Sequence, residues 1–199
     1  DLTIDNQYAV TWSADGLTLN SATVIDSRGP ATKFINAARA TNALTIEAWV
    51  TPANITQDGP ARMVTLSPDI WERNITLGQG LWPGQPNDTF DIRLRTTATS
   101  DNGQPSITSP SGAASTNLTH LVYTRDAAGT ATLYVNNVPV ASGTIAGDFS
   151  NWDTSYRLLL GNELTLQRPW SGTYYLAAIY NRALTAAEVQ QNYAAGHGS

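Results

Sequence analysis

The 199-residue chain contains no cysteine, which removes disulfides and thiolate metal sites from any account of it. No apolar run approaches the roughly 18–20 residues that a membrane-spanning helix needs. Lysine occurs once, at Lys33, against ten arginines, and the only histidines are His120 and His197. Charge is sparse as well: 11 Lys and Arg face 16 Asp and Glu, a net of −5. Such a surface is a poor match for nucleic acid or an anionic membrane, both of which need basic patches. The start, Asp1-Leu-Thr-Ile, does not read as a signal peptide, as expected of a processed or shortened secreted chain.

The Arg-for-Lys bias has two readings. Arginine is suited to fixed, bidentate hydrogen bonds with carboxylate, sulfate or sugar hydroxyls; genomic base composition explains the bias equally. Four Asn-x-Thr sequences begin at Asn54, Asn74, Asn87 and Asn117, glycosylation acceptors only in a eukaryotic secreted protein. Abundant Asn, Thr, Ser and Gly fits an extracellular setting.

Strand-like runs bounded by turn residues recur at 17–25, 44–52, 61–66, 74–78, 90–97, 118–125, 131–135, 139–143, 156–161 and 173–181. Asn136-Asn137, between Leu-Tyr-Val and a second apolar run, predicts a tight hairpin, because Asn tolerates positive φ. At the C-terminus, Thr185 followed by Glu188 forms a capping box and Gly196 supplies a stop. One further helical turn or two is possible at 32–39, with Phe34, Ile35 and Ala38 at helical spacing. Many strands and one well-marked helix predict an all-β chain, a two-sheet antiparallel β-sandwich with one short C-terminal helix. Its length suits a single domain over 1–199, able to bury roughly 70% of the unfolded surface without covalent staples.

Alternation assigns the faces. Leu44, Ile46, Ala48 and Val50 oppose Thr45, Glu47, Trp49 and Thr51; Phe90, Ile92 and Leu94 oppose Asp91, Arg93 and Arg95. The apolar faces meet in the core. If the polar faces belong to one sheet, Glu47, Trp49, Asp91, Arg93 and Arg95 form an outer platform for a glycan; otherwise they are ion-paired packing. Of the six tryptophans, Trp12, Trp49 and Trp152 are expected to anchor packing. Trp71, Trp82 and Trp170 lie in or beside turns, where loop-borne aromatics can meet a ligand. Two loops, 82–88 and 97–117, are long enough to suggest a purpose.

Several motifs carry a family resemblance: Glu47-Ala-Trp-Val50; Leu133-Tyr-Val-Asn-Asn137; and Ile179-Tyr-Asn-Arg-Ala-Leu184 followed by Glu188 and Tyr193. To these are added Arg73-Asn-Ile-Thr-Leu-Gly-Gln79 and Leu160-Gly-Asn-Glu163 with Arg168-Pro-Trp170. Together they resemble the laminin-G-like, concanavalin-A-like jelly rolls of bacterial type over roughly residues 40–196. The resemblance implies a jelly roll. It also implies a calcium ion in many members, although the usual acidic ligands are not evident: the strand Tyr174-Tyr-Leu-Ala-Ala-Ile-Tyr180 lacks a carboxylate. Animal members commonly carry disulfides, which this chain lacks.

Catalysis has little support. The four glutamates, Glu47, Glu72, Glu163 and Glu188, are scattered, whereas a glycoside hydrolase needs two carboxylates about 5–9 Å apart. His120 alternates with Leu118 and Val122 as a near-core residue, and His197 lies in the C-terminal tail. The expectation is a non-catalytic, extracellular, lectin-like module binding a polysaccharide or surface glycan, attached to a larger secreted protein. Its candidate ligand contacts are Trp71, Arg73, Trp82, Arg93, Arg95, Glu163, Arg168 and Trp170. For Glu163 and Arg168 a structural turn is the competing role. An adhesion or spacer domain making protein contacts is the alternative, and a lyase or hydrolase acting on acidic polysaccharide the third.

Overall fold

A computed structural model describes residues 1–198. Two seven-stranded antiparallel sheets face each other. The first runs, edge to edge, β1 (Thr3–Ile4), β4 (Ile25–Pro30), β13 (Arg157–Leu160), β6 (Ala61–Leu66), β7 (Ile75–Gln79), β8 (Phe90–Leu94) and β9 (Ile107–Thr108). The second runs β12 (Val138–Thr144), β11 (Thr130–Val135), β10 (Thr119–Arg125), β5 (Leu44–Pro52), β14 (Gly172–Tyr180), β3 (Leu17–Leu19) and β2 (Val10–Trp12). Leu44, Ile46, Ala48 and Val50 of β5 and Phe90, Ile92 and Leu94 of β8 enter one buried cluster. Period-2 alternation thus holds on both strands, with apolar area removed from water as the driving force.

The hairpin at 136–137 forms as the Asn pair requires. Val135 pairs with Val138 across a two-residue loop, and Asn136 and Asn137 take φ of 50 and 65, the positive values of a primed turn. The strand expected at 17–25 is instead two, β3 and β4, in different sheets. The expected loop 97–117 contains β9, which extends the first sheet beyond β8.

The expectation of one helix is corrected to two. α1 (Thr32–Thr41) buries Ile35 and Ala38 and ends on left-handed Asn42 at φ 49. Periodicity signalled it, but no side chain caps its N-terminus, so the sequence carried no start signal. α2 (Ala186–Ala195) has both capping-box bonds, Glu188 N–H to Thr185 Oγ1 at 3.3 Å and Thr185 N–H to Glu188 Oε2 at 2.8 Å.

α2 closes over the outer face of the second sheet, burying Val189 against Val122 and Leu184. Beneath it, His120 and Glu47 pair at 2.8 Å, both buried. Tyr180 Oη and Asn192 Nδ2 each donate to Glu47 Oε2 at 2.9 Å. Tyr193 stacks on Trp49 at 5.7 Å, and His197 packs edge-on at 5.9 Å, so this part of the tail is folded against the sheet. Trp152 is also buried, with its Nε1 donating to the Arg95 carbonyl at 2.7 Å. Trp12 is not the packing anchor expected of it: on edge strand β2 it is 71% exposed. Of the Asn-x-Thr sites, Asn74 is buried and bridges to Asp153 through both side-chain atoms.

Burial pushes the Glu47 carboxyl up, but hydrogen bonds from His120, Tyr180 and Asn192 outweigh it and leave the group below its usual 4.5. A carboxyl lowered by folding stabilises the protein above its unfolded value, and that stabilisation fades as pH falls through the folded value. Stability therefore drops as pH is lowered below 4.5, and Glu47→Gln flattens that drop, checked by urea unfolding between neutral and acid pH. Thr185→Ala removes the cap and costs about 1 kcal/mol in the same assay.

Candidate functional site

The outer face of the first sheet is polar but not bare. Thr65, Thr76 and Arg93 lie in register across β6, β7 and β8, as do Arg62, Gly78 and Asp91 one pleat along. All are buried beneath loops. Between those loops lies a cavity of about 310 Å³ lined by Arg62, Trp71, Trp82, Arg93, Asn102 and Arg168, with Ile70, Gly59 and Pro60 completing the wall.

Each wall residue is placed by local chemistry. Trp71, in the β6–β7 loop, follows a turn in which Asp69 Oδ1 accepts the N–H groups of Trp71 and Glu72 at 2.6 and 2.8 Å, a turn typical of Asp. Trp82, in the β7–β8 loop, follows Gly80, where a φ of +73 and the 2.8 Å at which a Cβ would lie from the Gln57 carbonyl oxygen both demand glycine. Trp71 and Trp82 are 67% and 48% exposed. Arg93 donates through Nε to Asp91 Oδ2 at 2.8 Å and through Nη1 to Asn102 Oδ1 at 2.9 Å, and its guanidinium carbon lies 5.7 Å from the centre of the Trp82 ring.

Arg168 is set by the β13–β14 loop. There the buried Glu163 carboxylate accepts the N–H groups of Thr165, Gln167 and Arg168, at 2.5, 2.6 and 3.1 Å. Asn162 Oδ1 takes the Glu163 and Arg168 N–H groups at 3.0 and 3.2 Å. The Arg168 carbonyl in turn accepts the Arg62 N–H at 3.0 Å, tying the loop to β6.

Four of the eight residues expected to touch a ligand, Trp71, Trp82, Arg93 and Arg168, therefore share one cavity. The others are corrected. Trp170 is fully buried, its Nε1 donating to Gln79 Oε1 at 2.9 Å and its ring 4.7 Å from Tyr174; a Cβ at Gly172 would lie 2.5 Å from it. Proximity to a turn suggested exposure, but the loop folds the indole inward. Glu163 is enclosed by its own turn and forms no ion pair with Arg168 among the described residues. Arg95 pairs with Asp101 at 2.8 Å, away from the cavity wall. Arg73 is buried behind the wall, donating to Ile70 O at 2.7 Å and Thr76 Oγ1 at 3.3 Å.

The combined Glu47–Trp49–Asp91–Arg93–Arg95 platform does not exist. β5 pairs with β10 and β14, β8 with β7 and β9, so the two polar faces are on opposite sides of the sandwich. Arg62 was missed. Its signal was a lone charge inside the otherwise uncharged strand Ala61-Arg-Met-Val-Thr-Leu66.

The residues present do not fit the calcium ion implied by the resemblance. No group of three His, Asp or Glu side chains gathers among the described residues. The buried Asp26, on β4, already accepts the Arg28 N–H through Oδ1 at 2.7 Å and Arg157 through Oδ2 at 2.8 Å.

A laminin-G family model matches residues 26–190. The chain belongs to the concanavalin A-like lectin/glucanases superfamily. No curated protein sequence matches it significantly. Among solved structures it resembles domain 4 of AbnA, a GH43 extracellular arabinanase from Geobacillus stearothermophilus, in complex with arabinotriose. Identity there is 21%, coverage 96% of this chain and 86% of that one, and the TM-score 0.65. It also resembles the CBM40 of the Ruminococcus gnavus IT-sialidase bound to alpha2,3 sialyllactose, at 15% identity, 88% and 94% coverage and a TM-score of 0.60. A third likeness, to Streptococcus pneumoniae NanB sialidase, has 15% identity and a TM-score of 0.64; it covers 90% of this chain but only 27% of the sialidase chain. At these identities the likeness shows the fold.

Glu163→Ala would leave several backbone N–H groups of the 162–168 turn without acceptors, at a cost of at least about 2 kcal/mol. Urea unfolding checks this, and the loss should exceed that of the half-exposed Arg168→Ala.

Proposed function

We propose that the chain is a non-catalytic carbohydrate-binding module whose ligand sits in the Trp71–Trp82 cavity. The observation that carries this reading is the pair of exposed indoles flanking a recess that guanidinium and amide groups line. An aromatic face stacks against the C–H side of a pyranose, while Arg62, Arg93, Asn102 and Arg168 offer hydrogen bonds to its hydroxyls. Loops carried on a rigid sheet are where binding groups concentrate, and the cavity lies at the small end of ligand sites, suited to a short stretch of glycan.

The wall chemistry supports binding over turnover. Among the described residues no carboxylate, histidine or tyrosine lines the cavity, which leaves its wall without a ready general acid or base. Asp91 is held by Arg93 and by Thr108 Oγ1 at 2.6 Å. The arabinotriose-bound and sialyllactose-bound domains are likewise folds of this superfamily type carrying saccharides. The reading takes the chain as one module outside the cell within a larger secreted protein. No helix among the described residues is long and apolar enough to cross a membrane.

Titrating an oligosaccharide panel while following tryptophan emission tests the reading. Saturable change is expected, weakened at least ~10-fold, or about 1.4 kcal/mol, by Trp71→Ala or Trp82→Ala with unfolding temperature unchanged. Silence across the panel, undiminished binding in the double variant, or sugar products released on incubation would each overturn it.

A further inference from the structure

The cavity is more basic than a neutral sugar requires. Arg62, Arg73 and Arg93 are only 1%, 0% and 5% exposed, and Arg168 is half-buried beside them. Among the described residues one ion pair, Arg93–Asp91, serves these four cations. The other nearby carboxylates are occupied: Glu163 by the N–H groups of its turn and Asp69 by those of Trp71 and Glu72. Three arginines thus line the recess with a fourth behind it; one direct ion pair serves them, and Glu163 and Asp69 offset the rest only in part, through space.

Another buried arginine in the same chain shows what a purely structural one looks like. Arg125 makes five hydrogen bonds, through Nε and both Nη atoms, to the carbonyls of Asn42, Ile145 and Gly147 and to Asn42 Oδ1. It is a loop staple with every nitrogen used. Arg62 makes two, to Pro60 O at 2.7 Å and Asp69 O at 3.5 Å, and its Nε is buried without a partner. Arg73 likewise leaves Nε buried and unpartnered.

Burying cations without a directly paired counter-ion is costly. Burial, then the charges of Arg73 and Arg93, hold Arg62 well below the ordinary arginine value. Burial, then Arg93, pull Arg73 down to about 9. Arg73 remains cationic at neutral pH, as guanidinium groups in proteins generally do. A negative charge entering the recess relieves the mutual repulsion, and guanidinium groups favour planar oxyanions geometrically.

We infer that the ligand carries an anionic group, a sugar carboxylate or sulfate seated among Arg62, Arg93 and Arg168, with a sugar ring against Trp71 and Trp82. This deepens the carbohydrate-binding reading and rests on it. The acidic group could belong to a hexuronate, a sialic acid or a sulfated sugar, which matched ligands separate.

The test titrates neutral and acidic partners on one scaffold: lactose against 3′-sialyllactose and sulfated lactose, and galacto-oligosaccharide against oligogalacturonate. The expected result is at least ~10-fold tighter binding of one acidic class than of its neutral partner. That preference should shrink as sodium chloride is raised, since salt screens charge. Arg168→Gln should erase the preference while leaving weak, Trp71-dependent binding, and Arg62→Met should do the same without lowering the unfolding temperature. Equal affinity for neutral and acidic partners, or a preference that survives salt and both variants, would overturn the inference and leave the carbohydrate-binding reading standing. Absence of binding to every ligand would overturn both.

Discussion

The two inner faces of the sandwich have to be apolar along their whole length, and that requirement organises everything outside them. Because side chains alternate with a period of two, each residue committed inward on β5 or β8 sends its neighbours outward. The outward residues on both strands include large and charged groups, Glu47 and Trp49 on one, Asp91 and Arg93 on the other. Each outer face is then covered in its own way. α2 seals the second sheet over a hydrogen-bonded Glu47–His120–Tyr180–Asn192 network. Five loops roof the first sheet and leave a recess. One side is closed by hydrogen bonding and stacking, while the other keeps a recess lined by arginines.

That difference separates stability from function within the molecule. Groups that complete one another, such as Arg125 with its carbonyls or Glu163 with its turn, have no capacity left for a ligand. Groups that remain incomplete, Arg62 and Arg73 above all, are a cost carried by the folded state. Their positions are not loose. Asp69, Gly80, Glu163 and Asn102 each set one wall element through backbone or side-chain hydrogen bonds. A recess assembled this way is preorganised, which would leave little ordering cost for the proposed ligand.

Much of the fold was legible because its signals are local. Alternation in 44–52 and 90–94, the Asn136-Asn137 turn and the Thr185–Glu188 cap each depend on residues within one element. The site was legible in part for the same reason: Trp71, Trp82, Arg93 and Arg168 stood out as residue types in turn or strand contexts. What failed depended on distance. Trp12 and Trp170 look alike as turn-adjacent indoles or packing anchors, yet one is exposed on an edge strand and the other enclosed by Gln79 and Tyr174. Arg62 carried a local signal, a lone charge in an uncharged strand, but which residues it would meet depended on distant loops.

The sequence by itself determined which side chains of each strand share a face, where the hairpin turns and where the last helix begins, since backbone geometry and capping act over a few residues. Only the tertiary structure decided that β5 and β8 belong to different sheets, so that Glu47 and Arg93 lie on opposite sides of the molecule. It alone brought Arg62, Trp71, Trp82, Arg93 and Arg168 around one recess. Strand partners are chosen by pairing across tens of residues and by competition for a common core, and no short stretch of chain records that outcome.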